Sequence, residues 1–83
     1  MSQEVLEEWL IEAIQALGGS AAILEICQWV WAEKEEELRN AGDLFFTWQY
    51  DIRWAASRLR KKGILLGTDE SRRGIWELKR EMI

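Results

Sequence analysis

Apolar residues recur at three- and four-residue intervals along most of the chain, and the period changes only near its end. Leu6, Trp9, Leu10, Ala13, Ile14 and Leu17 form one stripe, the pattern of an amphipathic helix. Ser2 is placed to cap that helix, with Glu4, Glu7 and Glu8 near its positive end. Gly18 and Gly19 end it, because glycine takes the left-handed turn favoured beyond a helix C-terminus. Ser20 then reads as the next N-cap, and Ile23, Ile26, Cys27, Val30 and Leu38 continue a second stripe. Residues Glu33 to Glu37 make a nearly continuous charged stretch, expected in water.

Residues 40–43, Asn-Ala-Gly-Asp, read as a loop, and Leu44, Phe45 and Phe46 after it as a segment that plugs onto the core. Thr47 is expected to cap a third helix running to about Lys62, where Gly63 stops it. At about 100° per residue, Trp48, Ile52, Ala55 and Leu59 share a narrow arc. Gln49, Tyr50, Arg53, Trp54, Ser57, Arg60 and Lys61 fall on the other side. One face is apolar; the other is basic, polar and aromatic.

Beyond Gly63 the period shortens. Ile64, Leu65 and Leu66 are a short apolar run, residues 68–74 a polar turn carrying Arg72, Arg73 and Gly74, and residues 75–79 a bounded, strand-like segment. A β-hairpin with a basic tip is expected over about 64–79. The reading is one domain over 1–83, mainly α with a small β-hairpin.

Composition narrows the function. The chain has 83 residues, 48% of them apolar and 31% charged, with six Trp. That is enough for one dense core and too little for two. No apolar run approaches the roughly 20 residues of a membrane span, and residues 1–4 lack a basic secretory leader. A cytoplasmic protein is expected. A lone Cys27 and no His leave no disulfide framework, zinc site or His-dependent relay. The expectation is a non-enzyme without cofactor or metal.

Charge changes the picture most. The net −4 divides unevenly: residues 1–47 hold ten acids and two bases, residues 48–83 nine bases and five acids. Segregation of this kind suits a polyanion if the basic part forms one surface. Three helices and a hairpin is the order of a winged helix-turn-helix, whose third helix enters the DNA major groove while the hairpin reaches the flanking backbone. Gln49, Tyr50, Arg53, Ser57 and Arg60 are the candidate reading residues. Lys61, Lys62, Arg72 and Arg73 are placed for phosphate. The expected function is binding of double-stranded DNA, and a homodimer would double the footprint.

The stretch Trp54, Ala55, Leu59, Lys61, Lys62, Gly63, Ile64, Leu65, followed by Arg73, Gly74, Ile75, Trp76, Glu77, Leu78, resembles the N-terminal winged-helix domain of Mrr-type restriction endonucleases. Those domains carry a WA-x-x-x-L-K-K-(A)-G-L-L run and then an R-G-x-W-x-(L/I) strand. The resemblance covers about Trp48 to Lys79. It implies a DNA-recognition module in which Trp54 and Trp76 are matched aromatic positions and Lys61, Lys62 and Arg73 matched basic ones. It also favours packing of Trp54 against the wing. The family's nuclease chemistry does not carry over, because these residues hold no Asp…Glu-x-Lys core. A stand-alone binder, or an adaptor recruiting another subunit, is expected.

Other residues have plainer roles. Trp9, Trp48 and Trp76 occupy apolar positions and are expected in the core. Trp29 and Trp31 straddle Val30, so one of them should be exposed, where it could mark a dimer contact; residues 44–46 and the C-terminal tail are further candidates. Glu33, Glu36 and Glu37 share a helix face and are read as solvated rather than as a cation site. Cys27 is read as a small core residue. A second function stays open: a winged-helix protein-interaction module, whose acidic first half and exposed aromatics bind a partner protein without contacting nucleic acid.

Overall fold

The computed structural model describes residues 3–67 and 72–79. The elements run α1 (Gln3–Ala16), β1 (Ser20–Ala22), α2 (Ile23–Arg39), α3 (Leu44–Lys61) and β2 (Ile75–Glu77). The expected cap at Ser2, most of the polar turn at 68–71, and the C-terminal tail lie outside the described residues. Three helices and a small antiparallel sheet in this order are compatible with a winged-helix layout.

One buried cluster joins every element. Leu6, Leu10, Ala13 and Ile14 of α1 meet Trp48, Ile52, Ala55, Ala56 and Leu59 of α3, and Ile26, Val30 and Leu38 of α2 close the third side. Trp9, Trp48 and Trp76 are all buried, as their positions require. Leu65, Trp76 and Leu78 seal the end of the cluster. Trp76 and Leu78 point inward while Ile75 and Glu77 are only half-buried, the alternation of a strand with one face on a core.

The strand pairing departs from a simple hairpin. β2 pairs antiparallel with β1, in the register Ser20 to Glu77, Ala21 to Trp76 and Ala22 to Ile75. The expected partner, residues 64–66, meets the far end of the same strand. Leu65 bridges Leu78, Leu66 N donates to Glu77 O at 2.9 Å, and Lys79 N donates to Ile64 O at 2.9 Å. Ser20 is therefore a strand residue, not a helix cap. A three-residue strand of Ser and Ala carries no periodicity by which it could be read. Helix α2 starts at Ile23 instead. Glu25 reaches back to accept a hydrogen bond from Ala22 N at 3.1 Å, half of a capping box. Ile23 N donates to Gly74 O at 3.1 Å, so the turn before β2 satisfies one of the orphan donors of α2.

Helix α3 begins one turn earlier than Thr47. Phe45 N and Phe46 N donate to Gly42 O and Asp43 O, and Leu44 and Phe45 pack on the core as part of the helix. Burying those two side chains favours the extra turn although Asp43 supplies no side-chain cap. The Thr47 hydroxyl donates to the Asp51 carboxylate at 2.7 Å. At the other end Ile64 N donates to Leu59 O and Gly63 N to Arg60 O, a Schellman closure. Gly63 at φ +78° takes the left-handed conformation that a side chain would strain.

Among the described residues, three ion pairs tie α1 to its neighbours, two at Glu7 and one at Lys34. Glu7 lies on the buried side of α1, three residues before Leu10, and is only 6% exposed. It accepts hydrogen bonds from Arg58 Nε at 2.8 Å and Lys62 Nζ at 2.6 Å. Burial opposes its ionisation. Hydrogen bonds and charge from Lys62 and Arg58 outweigh that and hold the carboxyl below its ordinary value. Lys34, expected in water with its acidic neighbours, is instead half-buried. Its ammonium lies 3.2 Å from Glu12 and 5.9 Å from the centre of the Trp9 ring. The backbone of α2 kinks at this residue, with φ −123° and ψ 18°.

Leu59→Ala, which empties a fully buried site, should lower unfolding stability by about 2–5 kcal/mol in urea titration. Glu7→Gln should cost about 1–2 kcal/mol at neutral pH, since both cations are partly in solvent. Because the folded carboxyl titrates below the unfolded one, its contribution is present above the unfolded pKa and fades as pH falls through the folded pKa. The wild-type advantage over Glu7→Gln should therefore shrink on acidification, and a constant difference down to strongly acidic pH would rule the clamp out.

Candidate nucleic-acid interface

Burial of Trp48, Ile52, Ala55 and Leu59 fixes the rotation of α3 and sorts its remaining side chains into three rows. Arg58 and Lys62 face α1 and meet Glu7. Gln49, Arg53 and Arg60 form a row on the flank towards α2 and the terminal strand. Tyr50, Trp54, Ser57 and Lys61 lie outermost.

The Gln49–Arg53–Arg60 row borders the main cleft. Arg53 and Arg60 line one wall, and Arg72, Arg73, Gly74, Ile75 and Trp76 with Ile23 line the other, around a volume of about 470 Å³. Residues from the end of the chain thus meet residues of α3 across a gap. The means is local: Gly74 accepts the hydrogen bond from Ile23 N, and Ile75 N closes the turn onto Arg72 O at 3.0 Å. Among the described residues no carboxylate lines this cleft. Nor does Arg53, Arg60, Lys61, Arg72 or Arg73 make an ion pair with another described residue. A second cleft continues from it along α2 and α3, sharing Ile23 and Arg53 and adding Leu24, Cys27, Gln28 and Gln49.

The expected site residues are therefore not equivalent. Arg53, Arg60, Arg72 and Arg73 converge, and Gln49 extends their surface. Arg72 also borders a small cleft with Glu25 and Glu77, which lowers the positive potential on that side. Tyr50, Ser57 and Lys61 stand on the outer row. Lys62 departs from the expectation: its ammonium is taken by Glu7 on the α1 side, away from the arginine cleft. Helix geometry explains it, since Lys62 follows Arg58 by four residues and shares its face. Gln28 is the neighbour that sequence reading missed; nothing in its spacing showed that the first turns of α2 lie beside Gln49 and Arg53.

The aromatic residues also resolve. Trp54 does not pack under the terminal strand; it is 54% exposed and meets Tyr50, itself 64% exposed, edge-on with ring centres 6.3 Å apart. Phe46, one further turn towards the N-terminus of α3, is 83% exposed. Phe46, Tyr50 and Trp54 thus form an uncovered aromatic row at four-residue spacing. Trp29 packs partly on the core, and Trp31 is the more open of that pair. The Trp31 ring is flanked by Phe45 and by the Arg39 guanidinium, 5.5 Å from its centre. Cys27 is half-buried; burial pushes its thiol up, and the Arg53 charge offsets this in part. Arg53 is a cationic neighbour that lies far from Cys27 in sequence.

The acidic cluster of α2 stands apart from the cleft. Glu33, Glu36 and Glu37 are exposed on the second half of α2. At about 1.5 Å per residue, they begin roughly 15 Å from Ile23, beyond the Debye length of about 8 Å at physiological salt. No group of three or more potential metal ligands occurs among the described residues, and no helix there is long and apolar enough to cross a membrane. No family model matches the chain, and neither a curated protein nor a solved structure matches it.

Proposed function

We propose that the chain is a winged-helix module, akin to the Mrr-type domains that residues 48–79 resemble, that binds double-stranded DNA without catalysis. The observation that carries this reading is the set of four arginines, Arg53, Arg60, Arg72 and Arg73, around one cleft. Guanidinium groups suit phosphate because their planar donors match its oxygens and stay charged at any physiological pH. Helix α3 supplies Gln49 and Arg53 to base edges, and the turn at Arg72 and Arg73 supplies cations to the flanking backbone. The net charge of −4 does not weigh against binding, since the acidic end of α2 is screened from the cleft at working salt.

Fluorescence anisotropy with a random duplex should show binding that weakens steeply with salt. Four neutralised phosphates give a slope of about −3 to −4 in log K against log salt. The double variant Arg53→Ala, Arg60→Ala should bind weakly and flatten that slope by about 2, with its melting temperature unchanged. Absence of duplex binding at low salt would overturn the reading in favour of a protein-interaction module.

A further inference from the structure

The exposed row Phe46, Tyr50 and Trp54 is poorly suited to an intact duplex. In a closed major groove the base faces are covered, and only hydrogen-bonding edges and the thymine methyl are open. Three large rings on the outermost face of a reading helix would find little to cover there. Rings left this open mark a binding surface. What that surface accepts is indicated by what lies beside it. Arg53 and Arg60 run parallel to the row one helical flank away, Arg53 within the cleft formed with Arg72 and Arg73, and Lys61 stands exposed at its end. Flat apolar faces beside a track of cations are the two parts of a single-strand platform, in which bases stack on rings while the backbone follows the charge.

We infer that the DNA bound by this chain is a duplex bordered by unpaired bases, and that Trp54 and Tyr50 stack on the first of them. This rests on the DNA-binding reading above and names the form of DNA. The edge-on pair gives a corner rather than a flat plate. Two rings set 71° apart offer no continuous plate, which favours one stacked base over a run of them. The arginine cleft holds the paired side of the junction, and Phe46 extends the surface along the departing strand. A partner protein on the same row would meet the guanidiniums of Arg53 and Arg60 at its border and would have to supply acids there. DNA supplies the anion and the flat face together.

The test compares a fully paired duplex with the same duplex ending in a fork, with 2-aminopurine at the first unpaired position. The forked probe should bind about tenfold more tightly, with quenching of 2-aminopurine on binding. Trp54→Ala should remove both the preference and the quenching while leaving affinity for the paired duplex unchanged. Trp54→Phe should keep most of each, and Tyr50→Ala, read by its fork-to-duplex affinity ratio because Tyr50 is also a candidate duplex-reading residue, serves as the second variant if the first loses its helical circular dichroism. Equal affinity for both probes, or a preference indifferent to Trp54 and Tyr50, overturns this inference and leaves duplex binding standing. Binding to neither probe overturns both. Self-association in sedimentation that Trp54→Ala abolishes assigns the row to a protein interface and also overturns the inference.

Discussion

The rotational setting of α3 is the constraint on which the rest depends. That helix carries four cations, with Lys62 just beyond its end, and four aromatic residues outside its buried stripe of Trp48, Ile52, Ala55, Ala56 and Leu59, and a modest turn about its axis would redistribute all of them. Burial alone is non-directional. Contact with α1 is made directional by Glu7, whose two oxygens engage Arg58 and Lys62. Removing one partner of such a clamp costs more than the clamp itself adds, because a desolvated charge is left behind. Its value lies in orientation: with Arg58 and Lys62 tied to one flank, Arg53 and Arg60 are presented on the other.

Charge segregation follows from the same arrangement. Most acids lie in α1 and the second half of α2, and most bases in α3 and after it. Folding does not mix them freely. Among the described residues it brings Glu7 to Arg58 and Lys62, and Glu12 and Glu35 to Lys34 and Arg39. These pairs neutralise the cations that would face inward or away from the cleft. The result is a molecule of net negative charge with a local positive surface, the condition in which steering at short range outweighs long-range repulsion.

Much of this was legible in the sequence, for reasons that differ by element. The three helices announced themselves because Leu6 to Leu17, Ile23 to Leu38 and Trp48 to Leu59 keep a helical period, with Gly18 and Gly63 as stops. The convergence of Arg53 with Arg60 follows from seven-residue spacing on one helix. Strand β1 was hidden because three small residues carry no pattern, and its partner was assigned to residues 64–66 alone. Lys62 was placed for phosphate because its own helix does not reveal which neighbour supplies a carboxylate; Glu7 lies 55 residues away. A glutamate inside an apolar stripe was the available signal. Trp54 was placed against the wing by resemblance, whereas the helical wheel already put it on the outer side.

The bond between Ile23 N and Gly74 O has a mechanical consequence. It splices the turn bearing Arg72 and Arg73 to the start of α2, so those two guanidiniums ride with that helix, whereas Arg53 and Arg60 ride with α3. The cleft therefore has two cations on each wall, one wall carried by α3 and the other by the turn tied to α2. The width between the two walls follows from how α2 and α3 pack, and the guanidinium positions within it from the arginine rotamers.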